Sequence, residues 1–134
     1  MTRARVTFTL ALACLIGACA KTEATTAPAD TLETTLTYGE QRAAAGISLV
    51  LASVEEDSRC PTGVTCVWAG NVRMKVNVRD GKGTVLTLNT NVEPKTADVS
   101  GYRVSIVRVL PPAQAGVVIR PSSYSATFRL DRIR

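Results

Sequence analysis

The sequence predicts an all-β protein whose single small domain is a β-sandwich or barrel of about seven strands. From residue 33 onward, apolar and polar side chains alternate with a period of two, which is typical of half-buried strands. Turn sequences such as Asp80-Gly81 and Pro111-Pro112 separate the alternating segments. Evidence for helices is thin, because Gly46 cuts short the alanine-rich stretch 41–45. A doubly wound α/β fold needs crossover connections of about a dozen residues, and the sequence indicates none.

The predicted strands follow one another along the chain. Their positions are 32–38, 47–52, 72–79, 85–88, 102–110, 117–119 and 124–131. The strand 72–79 has the clearest pattern, in which four apolar residues alternate with four polar ones. The Asp-Gly pair after it suits positive φ angles, so residues 71–89 are predicted to form a β-hairpin. The short run 117–119 is predicted to be an edge strand.

The first 19 residues carry an export signal. Arg3 and Arg5 precede an apolar run of about 11 residues, shorter than the roughly 20 that a membrane-spanning helix needs. The segment ends in Gly17-Ala18-Cys19, which resembles the lipobox of bacterial lipoproteins. The resemblance implies cleavage before Cys19, acylation of Cys19, and stable anchoring by two or more acyl chains. An ordinary secretory signal cut elsewhere and a retained membrane helix are the alternatives.

This signal divides the chain into three parts. Residues 1–18 are predicted to be removed, 19–31 to form the lipidated N-terminus and a flexible tether, and 32–134 to form the β domain. The tether is small, polar and aperiodic, and fully extended it reaches at most roughly 40 Å. The lipobox resemblance implies the bacterial cell envelope. Because Ala20 follows Cys19, it also implies the outer membrane, facing the periplasm, in a host with two membranes.

The charge balance bears on the class of partner. Removing residues 1–18 takes Arg3 and Arg5 and no acid, which leaves 14 basic and 11 acidic residues and a net charge of +3. The basic residues are interleaved with apolar ones and form no cluster with aromatic residues, so we expect no nucleic-acid binding. Anionic lipid or a cell-wall polymer is a further candidate partner for a surface of this sign.

The cysteines sort by their positions. Cys14 leaves with the signal peptide and Cys19 carries the lipid. Cys60 and Cys66 remain, and two thiols in an exported protein most simply form one disulfide. The sequence contains no histidine, which removes the commonest general base and the commonest metal ligand.

The most distinctive part of the domain is the segment 57–70. It consists of Asp-Ser-Arg-Cys-Pro, four further residues, and then Cys-Val-Trp-Ala-Gly. The segment resembles one found in many uncharacterised exported and lipid-anchored bacterial proteins, with the pattern Asp-Ser-Arg-Cys-Pro-x4-Cys-x-Trp-x-Gly. The resemblance implies fold and location rather than an activity.

Two interpretations of this segment stay open. Trp68 lies two residues after Cys66, and on a strand both would face the same side, so the favoured interpretation packs Trp68 on the disulfide inside the core. The alternative is a binding or inhibitory loop that the disulfide holds rigid, since a rigid loop loses less entropy on binding. The residues of that loop would be Arg59, Pro61, Thr62, Gly63, Val64, Thr65 and Trp68.

The sequence predicts no catalytic residue, metal site or cofactor. It has no Gly-x-Ser-x-Gly, phosphate-loop or dinucleotide-binding motif, and no pair of carboxylates stands out for glycoside chemistry. The two remaining cysteines lack zinc-site spacing, and Glu55-Glu56-Asp57 lacks EF-hand spacing and is predicted to be a solvated acidic corner that pairs with Arg59. We expect a non-catalytic binding or inhibitor module for an envelope protein or a cell-wall polymer. A structural envelope component is the alternative, and an enzyme of unrecognised type is the third hypothesis.

Overall fold

The computed structural model describes residues 30–134. The predicted signal peptide, the predicted lipidation site Cys19 and the predicted tether up to residue 29 lie outside the described residues. The described chain folds into eight strands in two four-stranded antiparallel sheets that pack together as a sandwich. Because the sheets are separate, the structure decides between the two predicted architectures. Within residues 30–134, no helix is long and apolar enough to cross a membrane.

The strands follow chain order around the sandwich. Their bounds are β1 Thr31–Thr37, β2 Gln41–Ala44, β3 Ile47–Asp57, β4 Val72–Arg79, β5 Thr84–Asn89, β6 Thr96–Val99, β7 Tyr102–Leu110 and β8 Ser125–Arg132. The first sheet has the order β1-β8-β7-β6, and the second has the order β2-β3-β4-β5. Each hairpin therefore pairs neighbours in sequence, and β1 joins the first sheet by pairing with β8.

The core lies between the two sheets. Every second side chain of each long strand points into it, as the period-two pattern of the sequence indicates. In β4, Val72, Met74, Val76 and Val78 are buried, whereas the residues between them point away from the core. The hairpin predicted over residues 71–89 is confirmed by the pairing of β4 with β5. The largest fully buried side chains are Phe128, Leu36, Leu49, Leu51, Met74, Leu88 and Leu130.

Two short strands differ from the sequence expectation. The alanine-rich stretch is β2, because Gln41–Ala44 pairs with β3 and the positive φ angles of Ala45 and Gly46 turn the chain back. The sequence did not predict β6, whose four residues include only one buried side chain, Val99. Four residues carry too little alternation to be recognised before the pairing with β7 is known.

The predicted edge strand 117–119 is wrong. These residues lie in the connection between β7 and β8, where the Val117 N–H donates to the Gln114 carbonyl at 3.2 Å and Gly116 has a φ of +74°. A 3-10 turn at Pro121–Ser123 follows directly. Turns on both sides leave no length for pairing, and the Val118 side chain is 91% exposed.

The two ends of the sandwich carry different connections. Connections 58–71, 90–95 and 111–124 lie at one end, which we call the loop end. Short turns join the strands at the other end, which we call the tether end, because the Arg132 N–H donates there to the Asp30 carbonyl just before β1. Seven strand residues at about 3.3 Å each place the start of β1 roughly 20 Å from the loop end.

Candidate functional site

An ion pair at the end of β3 holds the base of connection 58–71. The Arg59 side chain binds the Asp57 carboxylate through two hydrogen bonds, from Nε to Oδ1 at 2.8 Å and from Nη2 to Oδ2 at 2.6 Å. Arg59 Nη1 donates to the Val109 carbonyl at 3.0 Å, and the Tyr124 hydroxyl donates to Asp57 Oδ2 at 2.8 Å. The cluster therefore joins the end of one sheet to β7 and to the start of β8.

The protonation states of this cluster follow from burial and hydrogen bonding. Burial acts to raise the pKa of Asp57, but the hydrogen bonds from Arg59 and Tyr124 outweigh it, so this pKa lies below its ordinary value. The hydrogen bond to Asp57 raises the pKa of Arg59. Burial, together with the hydrogen bond to Asp57, raises the pKa of Tyr124 to about 12. At neutral pH the cluster holds a carboxylate, a guanidinium and a neutral phenol.

A second set of hydrogen bonds fixes the point where the connection enters β4. The Ser58 N–H donates to the Asn71 carbonyl at 2.8 Å, and the Asn71 N–H donates to the Ser58 hydroxyl at 3.1 Å. The Asn71 side chain is buried and donates to Asn89 Oδ1 at 3.0 Å, as a buried amide must find partners. Gly70 packs so closely on the chain that a Cβ atom there would lie 2.8 Å from the Cys60 nitrogen. The fold therefore excludes a side chain at this position.

The disulfide predicted between Cys60 and Cys66 is present. It joins residues whose Cα atoms are 5.9 Å apart and closes a ring of residues 60–66 within the connection. Inside the ring the Val64 N–H donates to the Pro61 carbonyl at 3.3 Å, and Gly63 has a φ of +80°, which is favourable only for glycine at such a turn. The disulfide ring 60–66 is thus a turn closed by a covalent bond.

Trp68 does not pack in the core, so the favoured sequence interpretation is wrong. Its side chain is 60% exposed, and that of its neighbour Val67 is 96% exposed. The interpretation assumed a strand through residues 66–68, but the segment 58–71 forms no strand, so alternation does not turn Trp68 inward. Core side chains from both sheets, Phe128 among them, fill the interior without it.

A cleft of about 360 Å³ lies between the disulfide ring and connection 111–124. The two segments are joined by a hydrogen bond from the Thr62 N–H to the Ala113 carbonyl at 2.9 Å. The polar side of the cleft is the ion-pair cluster, and its apolar side includes Pro61, Val117 and Ile119. The cleft therefore brings the Asp57–Arg59 charge pair of the segment 57–70 beside aliphatic side chains from a distant part of the chain.

The structure separates the predicted loop residues into two groups. Arg59 and Pro61 are half-buried and line the cleft. The others are exposed and lie outside its lining, and they are Thr62, Gly63, Val64, Thr65 and Trp68. Sequence reasoning missed the parts that Asn71 and Tyr124 play. The available signal for Asn71 was a polar residue directly between the motif glycine and an apolar strand.

Each of the three carboxylates in the predicted acidic corner pairs with a different basic residue. Asp57 pairs with Arg59 as predicted, whereas Glu56 pairs with Arg73 and Glu55 pairs with Lys75 at 2.6 Å. Among residues 30–134, no group of three or more histidine, cysteine or acidic side chains is placed to hold a metal ion.

Comparison of the chain with protein-family models, with characterised proteins and with solved structures finds no match. The resemblance of the segment 57–70 to exported bacterial proteins therefore stays a prediction, as does the lipobox.

Proposed function

We propose that this protein is a lipid-anchored component of the bacterial cell envelope whose sandwich is a non-catalytic binding module. The observation that carries the proposal is the exposure of Trp68 beside Val67 on a braced connection. Tryptophan is enriched among the few residues that dominate the binding energy of protein interfaces. A large apolar side chain exposed to water on this connection is therefore suited to contact a partner protein.

The connection that carries Trp68 is restrained at both ends. Its start is held by Arg59 on Asp57, its end by Asn71 on Ser58, and the disulfide closes the ring between them. A segment that is already ordered loses little conformational entropy when it binds. The same rigidity suits an inhibitor, in which case the partner would be an envelope enzyme.

The position of the loop end supports a partner other than the anchoring membrane. The chain enters the sandwich at the tether end, roughly 20 Å from the loop end. A lipid on Cys19 would attach the chain to the bilayer through the tether end, and a flexible tether of up to roughly 40 Å would let the loop end reach a partner away from the bilayer. In an outer membrane, that partner would lie in the periplasm.

Affinity capture with matched variants tests the binding role. The tagged full chain is expressed in a lipoprotein-processing bacterium and extracted from envelopes with detergent. We expect Trp68→Ala to weaken capture of a specific envelope protein by about 30-fold, the effect of losing about 2 kcal/mol at an interface. Val85→Ala is the control, because Val85 is an exposed valine on β5 away from the loop end.

The capture experiment also separates the alternatives. Equal capture by wild type and Trp68→Ala contradicts a contact role for Trp68. Retention on purified cell wall without a protein partner favours the structural envelope role instead.

Metabolic labelling tests the anchor independently. A fatty-acid analogue should label the wild-type chain and should not label Cys19→Ala. Equal labelling of both would contradict lipidation at Cys19 without bearing on the binding module.

A further inference from the structure

The cleft beside the disulfide ring has one polar and one apolar wall. Asp57, Arg59 and Tyr124 form the polar wall, and Pro61 and Val117 contribute to the apolar wall. Its volume of about 360 Å³ lies at the low end of the range for ligand sites, which suits a single amino-acid residue. The Arg59 and Asp57 side chains are 17% and 13% exposed, so a ligand can reach them although most of their surface is shielded from water.

The hydrogen bonds already made within the polar wall determine whether the wall can bind a donor or an acceptor atom of a ligand. The Asp57 carboxylate already accepts four hydrogen bonds, three from Arg59 and one from the Tyr124 hydroxyl, which fill its lone pairs. Arg59 uses three of its five side-chain N–H groups on Asp57 and the Val109 carbonyl. The other two N–H groups make no further hydrogen bond of normal geometry among residues 30–134, although the Tyr124 hydroxyl also lies within reach of Arg59. The wall can therefore donate a hydrogen bond to an acceptor that enters the cleft.

The charge of the wall selects a neutral acceptor. Asp57 balances the charge of Arg59, so a ligand carboxylate would gain little attraction and would lie close to a like-charged group. A backbone carbonyl can accept from Arg59 without that repulsion, while the apolar wall packs against an aliphatic side chain. We propose that the cleft binds one aliphatic residue of a peptide segment, whose backbone carbonyl accepts hydrogen bonds from Arg59. The inference rests on the proposed function, because it names the chemistry of the partner that the loop end takes.

Blocked single amino acids test this proposal. The protein is the mature chain 19–134 with Cys19→Ala to omit the lipid, which contains all eight strands. Titration with N-acetyl-leucine N-methylamide should shift the backbone amide signals of residues 113–119 saturably, with a dissociation constant on the order of 1 mM. The glycine analogue lacks the side chain and should bind about tenfold more weakly. N-acetyl-leucine, which ends in a carboxylate, should also bind more weakly than the methylamide.

Two variants localise the binding. Val118 lines the cleft and is highly exposed, so Val118→Ser should preserve the fold and weaken binding of the leucine methylamide about threefold. Val85→Ser, outside the cleft, should leave binding unchanged. Arg59→Lys keeps the charge but loses the planar donor arrangement, and it should weaken binding about tenfold. If Arg59→Lys does not fold, the three probes and Val118→Ser still decide the question.

The outcomes distinguish this inference from the proposed function. Shifts that spare residues 113–119, tighter binding of the carboxylate probe, or full binding by Val118→Ser overturns the inference. Trp68→Ala should leave probe binding unchanged, because Trp68 does not line the cleft. A cleft that binds no probe while partner capture still depends on Trp68 overturns the inference alone. Normal probe binding with no Trp68-dependent capture supports the cleft as a peptide site and overturns the proposed role of Trp68.

Discussion

The tether end and the loop end of the sandwich join the same strands in different ways. At the tether end, turns of a few residues suffice, such as Ser100 and Gly101, both of which have positive φ angles. At the loop end, the connections 58–71 and 111–124 have 14 residues each and need an ion pair, a buried amide network and a disulfide to hold them. Long connections on a rigid scaffold are where binding groups are usually placed. The difference therefore supports the loop end as the site of the proposed binding function.

The largest expected difference is between the loss of stability on truncating a core aromatic residue and the loss on truncating an aromatic residue of the loop end. Phe128 has no exposed surface, so Phe128→Ala should lower the free energy of unfolding by about 3–5 kcal/mol. Trp68→Ala should change it by no more than about 0.5 kcal/mol, as is usual for exposed side chains. Denaturant melts of both variants beside wild type measure the two effects.

Native fluorescence provides a second measurement on the same residue. Trp68 is the one tryptophan of the chain, so its emission should already be red and water-like before unfolding. Blue emission from the folded protein would show that Trp68 is buried. A loss of unfolding free energy in Trp68→Ala as large as that in Phe128→Ala would lead to the same conclusion.

Gly70 tests whether the loop end is packed as tightly as the core. A Cβ atom at this position would overlap the backbone at Ser58–Cys60, which is held by the Arg59–Asp57 ion pair and by the hydrogen bonds between Ser58 and Asn71. We expect Gly70→Ala to destabilise the protein by about 3 kcal/mol, at the upper end for overpacking. Ala69→Ser is the control, because Ala69 is exposed one residue earlier. If both variants unfold at the same denaturant concentration as wild type, the close approach has no energetic importance.

The core was predictable from the sequence because burial follows a local rule. Alternation in residues 72–78 identifies the buried face of β4, and the same rule identifies Phe128 in β8. The pairing of β1 with β8 was not predictable, since it joins residues about 95 positions apart in sequence and no local pattern encodes it.

The loop end was only partly predictable because its contacts are long-range and specific. The two cysteines that remain after the predicted signal cleavage predicted the disulfide, and the short separation of Asp57 and Arg59 allowed their pairing to be expected. The Arg59 contact to the Val109 carbonyl and the Tyr124 contact to Asp57 depend on how the sheets pack. Trp68 was misplaced because a strand rule was applied to a segment whose backbone hydrogen bonds close turns within the connection and reach Ala113, rather than pairing with a neighbouring strand.

Removing the disulfide tests how much it contributes to the stability and rigidity of the loop end. Closing a seven-residue ring stabilises the folded state by about 2.4 kcal/mol in the chain-entropy model. Cys60→Ala with Cys66→Ala should therefore lower the free energy of unfolding by about that amount and weaken partner capture. Because Arg59 and Asn71 still hold the base, we expect the double variant to remain folded. Unchanged capture by this variant would show that rigidity of the ring does not contribute to binding.

The smallest expected effect is the pH dependence that Tyr124 confers. The pKa of Tyr124 is raised to about 12 in the folded protein, from an ordinary value of 10.0, because of burial and the hydrogen bond to Asp57. The folded state thus holds this proton more tightly, so the stabilisation is fully present below pH 10 and is lost as the pH rises toward about 12. Tyr124→Phe should cost about 1 kcal/mol at neutral pH, the value of one hydrogen bond, and should remove this alkaline loss. Denaturant melts at neutral and alkaline pH measure the difference between the two proteins, and phenolate absorbance follows the ionisation directly. If Tyr124→Phe loses as much stability as wild type between these pH values, the alkaline sensitivity arises from another group and not from the ionisation of Tyr124.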